Sequence, residues 1–333
     1  MKRNPKEHLK FSQNITDILQ GHYNHLPFPT FDLFDMLRWL PSPVRGLLAA
    51  LVLGLNTLLI CMLFFPFALI KLLLPVGAIR KAMDIVLIGL ADTWVRINHF
   101  WMRAVQKLDW QIEGAESLKR NGWYLVASNH QSWADILILQ RAFQGKIPFL
   151  KFFLKRELLY VPVIGLAWWA LDFPFMRRGG KSIAANAADL ATARASCEKF
   201  RHIPTSVINF LEGTRFTQAK HKQQRSPYRH LLKPKSGGVS IALATMGDKF
   251  DAMLDVTIAY PEGTPNFWQV LCGQLGRVVV EVKKIEIPED LIRDSIAAEP
   301  RVRSRIQDWL NERWAEKDER ISVLLGRGMK RKE

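Results

Sequence analysis

Twenty-five residues, 46–70, lie between Arg45 and Lys71 without a charged side chain, and only Asn56 and Thr57 among them are clearly polar. As one helix they extend about 37 Å at 1.5 Å per residue, more than the ~30 Å hydrocarbon core of a bilayer. Soluble helices rarely stay uncharged for seven turns, so a membrane anchor is expected in preference to a buried core helix. A secretory signal peptide fits poorly, because 45 polar or mixed residues come first and the apolar run is too long.

A further apolar patch, 72–79, and the mixed stretch 83–101 follow. Pro66 can bend the run and Pro75-Val76-Gly77 can turn it, so a spanning helix and a helical hairpin both satisfy the pattern. Basic residues are spread evenly: Lys2, Arg3, Lys6, Lys10, Arg38 and Arg45 before the run, Lys71, Arg80, Lys81, Arg96, Arg103 and Lys107 after it. That balance favours a re-entrant or hairpin anchor with both flanks on the cytoplasmic side.

The remainder has an ordinary globular mixture, with 48% apolar and 23% charged residues over 333 positions, which excludes disorder and collagen-like repeats. Three cysteines without a close pair, Cys61, Cys197 and Cys272, exclude a disulfide scaffold or a Cys-rich zinc module and suit a reducing compartment. Lys and Arg number 47 against 31 Asp and Glu, a net charge of +16. A balance that basic implies an anionic partner: nucleic acid, membrane surface or a phosphorylated substrate. Past residue 105, short β-branched and aromatic runs read as strands at 123–127, 206–211, 254–259 and 277–282. Helices are expected between them, including 182–200 and 238–246. Alternation of this kind predicts an α/β domain, a mostly parallel sheet flanked by helices. Ile306, Leu310, Trp314, Ile321 and Leu324 form one apolar helical face that packs back on it. The organisation is then a polar segment 1–45, a membrane-anchoring helical region 46–104, an α/β domain 105–290, and a C-terminal helix with a basic tail 291–333.

The sharpest local feature is Asn129-His130-Gln131-Ser132-Trp133-Ala134-Asp135, directly after a strand. Catalytic groups of α/β folds sit at the carboxyl ends of parallel strands. Ser132 with Asp135 three residues on resembles a capping box, which starts a helix at Ser132 and leaves His130 in the loop before it. From there the ring can fold back to the Asp135 carboxylate, which would fix one tautomer and leave the other nitrogen free to take a proton. Taken alone, the same spacing also describes a loop histidine beside a helix-capping aspartate.

Three further elements bear on that choice. Phe210-Leu211-Glu212-Gly213-Thr214-Arg215 ends another strand; its glycine permits close backbone approach, and its guanidinium and hydroxyl suit a phosphate. The stretch from Lys155 to Gly165, followed by Phe175, Arg177 and Arg178, places basic residues beside Leu158, Trp168 and Trp169, an apolar slot with a charged mouth. Arg215, Lys220, Lys222, Arg225, Arg229, Lys233 and Lys235 form a basic stretch without an acid. Each alone is also an ordinary turn, a core helix or a solvated loop.

At these places together the sequence resembles the glycerolipid acyltransferase family, which includes the 1-acylglycerol-3-phosphate acyltransferases. The Asn-His-x4-Asp block is matched by Asn129, His130 and Asp135; the Phe-Pro-Glu-Gly-Thr-Arg block is matched with Leu211 in place of proline. The Gly-x2-Phe-x2-Arg block is matched by Phe175 and Arg178, with Asp172 where glycine is usual. The fourth block appears as 256–261 without its early proline. This variant looks like the branch with lysocardiolipin-type and related bacterial membrane acyltransferases, and the likeness spans about residues 100–325.

The resemblance implies an acyltransferase catalytic domain over 105–290. It implies transfer of a fatty acyl group from acyl-CoA or an acyl carrier protein to a lysophospholipid hydroxyl, with 1-acylglycerol-3-phosphate as the expected acceptor. His130 and Asp135 would be catalytic. Glu212, Gly213, Thr214 and Arg215 would hold the glycerol phosphate, with Arg178 and Lys155 in support, and the basic stretch would meet coenzyme A phosphates or the acidic carrier. No metal, no other cofactor and no nucleic acid is implied. A remodelling lysophospholipid acyltransferase or a transacylase would use the same pair. A serine hydrolase lacks its Gly-x-Ser-x-Gly elbow, and Gly180-Lys181-Ser182 lacks the earlier phosphate-loop glycine, Phe175 standing there. His-Glu-x-x-His is absent, and the eight histidines are scattered. A non-enzymatic basic lipid- or nucleic-acid-binding module accounts for the charge but not for the motifs.

Overall fold

The uncharged run folds as helix α1 (Ser42–Leu73), which continues through Pro66. The computed structural model describes residues 37, 39–74, 76–105, 109–152, 154–161, 164–173, 175–176, 203–297, 299 and 301–329. The helix opens with a proline in its first turn, where no backbone N–H is needed, and ends before Pro75. Helix α2 (Gly77–Val105) then returns antiparallel along it. The two polar residues of the apolar run explain the pairing. Asn56 Nδ2 donates to the Trp94 carbonyl (3.1 Å) and to Asn98 Oδ1 (3.0 Å), and Trp94 Nε1 donates to Thr57 Oγ1 (3.0 Å). Near the tip, Lys71 Nζ lies 2.6 Å from Asp84. The other face of α1 leaves Leu47, Leu51, Leu55, Leu58 and Met62 exposed. Among the described residues α1 is the one helix long and apolar enough to cross a membrane, and it takes the hairpin form.

Six strands form one sheet: β1 (Trp110–Glu113), β2 (Tyr124–Ser128), β3 (Leu150–Phe152), β6 (Ser206–Phe210), β7 (Ala252–Ala259) and β8 (Val278–Ile285). Their order is β1-β8-β7-β2-β6-β3. Every neighbouring pair is parallel except β7 with β8, so the sheet is mixed, an antiparallel pairing that the strand patterns did not predict. A separate ladder joins β4 (Leu154–Lys155) to β5 (Phe175–Met176).

Side chains of β2 alternate between two cores. Tyr124 and Val126 pack with Leu137 and Ile138 of α3 (Ala134–Phe143). Leu125 and Ala127 pack on the other face, with α6 (Gly237–Met246) and the C-terminal helix α9 (Val302–Met329). Ile306, Leu310, Trp314 and Ile321 of α9 are buried there, and Leu324 is buried against Ala259 and Val279, so the face its spacing predicts is covered throughout. Between these lie α4 (Ile164–Ala170), α5 (Gln218–Gln224), α7 (Phe267–Leu271) and α8 (Glu289–Ile296). The helix expected at 182–200 lies outside the described residues, as do Cys197 and Arg178.

Candidate active site

Parallel pairing of Ser128 with Phe210 and with Val256 brings the carboxyl ends of β2, β6 and β7 side by side. Asn129 joins the loop after β2 to β7: its Nδ2 donates to the Ile258 carbonyl and its Oδ1 accepts from Ile258 N–H, both 2.9 Å. The amide thus extends the sheet ladder past the end of the strand, and the next residue, His130, is delivered to that edge.

His130 is held at every polar atom but one. Its N–H donates to Glu212 Oε1 (2.9 Å), and its carbonyl accepts from Phe216 N–H (2.7 Å). Its ring stacks on Phe210, centroids 3.9 Å apart. Nδ1 lies 2.8 Å from Asp135 Oδ2, close enough to donate its proton to the carboxylate. Nε2 has no hydrogen-bond partner among the described residues. A carboxylate that takes Nδ1–H leaves the Nε2 lone pair as the acceptor for a substrate proton.

Asp135 is fully buried in the first turn of α3. Oδ2 also accepts from Gln131 N–H (2.6 Å) and Ser132 N–H (2.9 Å), and Oδ1 accepts from the Tyr260 hydroxyl. These donors and the imidazole Nδ1 together fix where the Asp135 carboxylate points, and the carboxylate in turn orients the ring. Burial pushes the Tyr260 hydroxyl well above its usual range, and the Asp135 charge adds to the shift, so Tyr260 stays a donor. The expected capping box is half present. Asp135 reaches back to Ser132 N–H, but Ser132 Oγ accepts from Ala134 N–H and donates to the Pro265 carbonyl (2.6 Å). The helix accordingly starts at Ala134 and not at Ser132.

A cavity of about 570 Å³ opens beside His130. Gly213, Thr214 and Arg215 line its polar side with His130, and Arg215 stacks over Trp133 at 4.5 Å. Apolar walls come from Phe152, Leu158 and Trp168, and from Ile60, Phe64 and Trp94 of the hairpin. The expected slot therefore forms with Leu158 and Trp168 but without Trp169, which is exposed. Gly213 has φ +68°, a left-handed conformation that an L side chain adopts only at a cost. Thr214 Oγ1 accepts from Lys220 Nζ (2.8 Å).

Glu212 is a correction. It is fully buried and does not line the cavity, because its place just after β6 sets it beneath the His130 loop. Oε2 accepts from Leu232 N–H (3.0 Å), so each oxygen binds a backbone donor away from the cavity. Burial raises its carboxyl to about 7 against the pull of those two bonds; Asp135 adds to the rise and Lys317 opposes it. Lys155 ends β4, paired with Met176; Arg178 lies outside the described residues. Tyr260, Trp133 and the hairpin wall belong to the site although the motifs did not single them out. Among the described residues, no cluster of three His, Cys, Asp or Glu could hold a metal ion.

Residues 109–261 match the family model described as Acyltransferase. The chain is similar to 1-acyl-sn-glycerol-3-phosphate acyltransferase 2 of Brassica oleracea, 27% identical over 257 residues, covering 68% of this chain and 61% of that one. It is similar to human 1-acyl-sn-glycerol-3-phosphate acyltransferase delta, 28% identical over 211 residues, 58% of this chain and 51% of that one. With lysocardiolipin acyltransferase 1 of Danio rerio it shares 27% identity over 182 residues, 51% of this chain and 44% of that one. The chain thus spans between 44% and 61% of the length of these three. A solved structure, the 1-acyl-sn-glycerophosphate acyltransferase PlsC of Thermotoga maritima, is 20% identical with a TM-score of 0.46, over 80% of this chain and 97% of that one.

Proposed function

We propose that this chain, a member of the glycerolipid acyltransferase family through residues 109–261, moves a fatty acyl group from an acyl thioester to the hydroxyl of 1-acylglycerol-3-phosphate. One observation carries the reading: a histidine fixed through Nδ1 by a buried aspartate, its Nε2 without a partner among the described residues, lines an apolar cavity with a guanidinium beside it. The acceptor hydroxyl gives its proton to Nε2 as its oxygen attacks the thioester carbonyl. The tetrahedral adduct collapses with cleavage of the C–S bond, and the thiolate leaves and takes the proton back from the imidazolium. A thioester is already activated, so the chemistry calls for no metal and no covalent enzyme intermediate. General base catalysis typically supplies ~10²–10⁴-fold, and positioning supplies much of the rest.

Arg215, with the backbone at Gly213 and the Thr214 hydroxyl, offers the donors for the acceptor phosphate. A volume of about 570 Å³ falls in the range of sites that enclose an elongated small molecule, and its apolar wall suits an acyl chain. Part of that wall is the hairpin itself, which favours substrates drawn from the bilayer. Both ends of the hairpin return to one side, and the reading places that side in the cytoplasm at the inner membrane. The exposed basic residues Lys222, Arg225 and Lys233 then face coenzyme A or an acidic carrier protein.

The test is free-thiol release when the full chain is mixed with lysophosphatidate and acyl-CoA, or with acyl carrier protein in its place. His130→Ala is expected to lower turnover by about 10³-fold while flotation with vesicles persists. Near-full transfer by that variant would remove His130 as the base. Arg215→Ala is expected to raise the KM for the phosphate-bearing acceptor with little change in kcat; an unmoved KM would take Arg215 out of that role.

A further inference from the structure

A second cleft, about 470 Å³, lies on the other side of Gln140 and Phe149, which line both cavities. One face of α2 forms its long wall. Ile85 and Ile88 stand nearer the hairpin tip, Asp92 and Arg96 nearer the sheet, about 16 Å of helix from end to end at 1.5 Å per residue. Across from α2 are Phe149 and Leu150, with Arg120 and Asn121 at the polar end. The cleft is therefore graded, apolar toward the membrane end and cationic toward the domain.

The charges there do not cancel. Arg96 binds Asp92 through both Nε (3.1 Å) and Nη2 (2.5 Å). Arg120 is exposed and makes no ion pair among the described residues, so two guanidiniums face one carboxylate. Gln140 adds an acceptor: its Oε1 is buried and without a hydrogen-bond partner. A buried amide oxygen left unmet is unfavourable, and a ligand hydroxyl would satisfy it.

We infer that this cleft is a second lipid site, which takes an anionic glycerophospholipid from the bilayer with its phosphate toward Arg96 and Arg120 and a chain against Ile85, Ile88 and Phe149. The inference rests on the membrane reading of the hairpin and is independent of the chemistry at His130. Sharing a wall with the first cavity, the site would hold a membrane lipid next to the reacting one.

Gly89 provides a test that leaves the helix intact. It lines the cleft and not the first cavity, and a Cβ built on it meets nothing within 4 Å. Gly89→Trp therefore fills the cleft, whereas Gly89→Ala leaves it open. The delipidated full chain in detergent is dialysed to equilibrium against radiolabelled dihexanoyl-phosphatidylglycerol below its micelle concentration. Gly89→Trp and Arg120→Glu are each expected to lose one bound molecule per chain relative to wild type and to Gly89→Ala. Unlabelled dihexanoyl-phosphatidylcholine is expected not to displace that molecule, and thiol release with soluble short-chain substrates should stay at the wild-type rate. Unchanged binding in Arg120→Glu, which sits in an exposed loop and tests the site even if Gly89→Trp misfolds, would overturn the assignment. Equal competition by the zwitterionic lipid would overturn it too. Absence of thiol release by the wild-type chain, with its lipid binding intact, would count against the reading of His130 alone.

Discussion

Glu212 is the residue whose environment departs furthest from its sequence reading. Its carboxyl is raised from the ordinary 4.5 to about 7, chiefly by burial, so the folded protein keeps a proton that the unfolded chain has lost. Stability should then be full below about pH 4.5, fall as pH rises toward 7 and level off above it. A rise of that size is worth roughly 3 kcal/mol at ~1.36 kcal/mol per pH unit. Glu212→Gln is expected to flatten this slope and to lower stability on the acid side, since an amide offers one acceptor for two N–H donors. Denaturant midpoints between about pH 4.5 and 8 check it; an unchanged slope would mean that Glu212 is ionised throughout. Asp135 was legible because its partner lies five residues away on a strand-loop-helix path. Tyr260 was not, because a contact across 125 residues depends on where β7 ends relative to β2. Glu212 was misread because a motif names a residue without saying which way its carboxylate faces.

At the scale of elements, the turn after α4 shows what a departure from family pattern costs and what offsets it. Asp172 stands where glycine is usual and has φ +58°, the left-handed region that explains the glycine. Its carboxylate lies 2.5 Å from Lys71 Nζ, which also donates to the Ala170 carbonyl at 2.7 Å and pairs with Asp84. The aspartate thus trades backbone ease for a tie between the hairpin and the turn after α4. Asp172→Gly loses the ion pair but relieves the backbone; Asp172→Ala loses the pair and keeps the strain. The alanine variant is expected to be less stable than the glycine variant by about 1–2 kcal/mol, read from thermal unfolding of the solubilised chain. Equal midpoints would show that this turn relaxes freely. Four strands, β2, β6, β7 and β8, were visible as β-branched runs, to within two residues at their starts; β1, β3, β4 and β5, two to four residues long, were not. The direction of β8 was not visible, because the connection from β7 through α7 is long enough for either sense.

At the scale of the molecule, the C-terminal helix is tied to the candidate site although none of its residues lines the cavity. Asp318 of α9 accepts from the backbone N–H groups of Arg229 and His230, both 2.7 Å, and Trp314 Nε1 donates to the Leu232 carbonyl (2.9 Å). Those bonds fix the loop whose Leu232 N–H holds Glu212, and Glu212 in turn holds His130. One turn along α9, Lys317 is fully buried, 2.6 Å from Asp255 Oδ1 and donating to the Val256 carbonyl at 2.5 Å. Burial pushes its ammonium down, and the Asp255 charge pulls it back up. Breaking such a pair strands a buried charge and costs about 3–5 kcal/mol, whereas replacing both partners by apolar residues is often neutral. Lys317→Met should therefore destabilise strongly, and Lys317→Met with Asp255→Leu should recover most of the loss. The recovered double variant carries a second signature, because Lys317 holds the Glu212 carboxyl down. Without that cation Glu212 keeps its proton to higher pH, so the falling limb of stability should extend above pH 7 in the double variant. A double variant that regains stability with the wild-type pH dependence would show that α9 supports the site by packing alone.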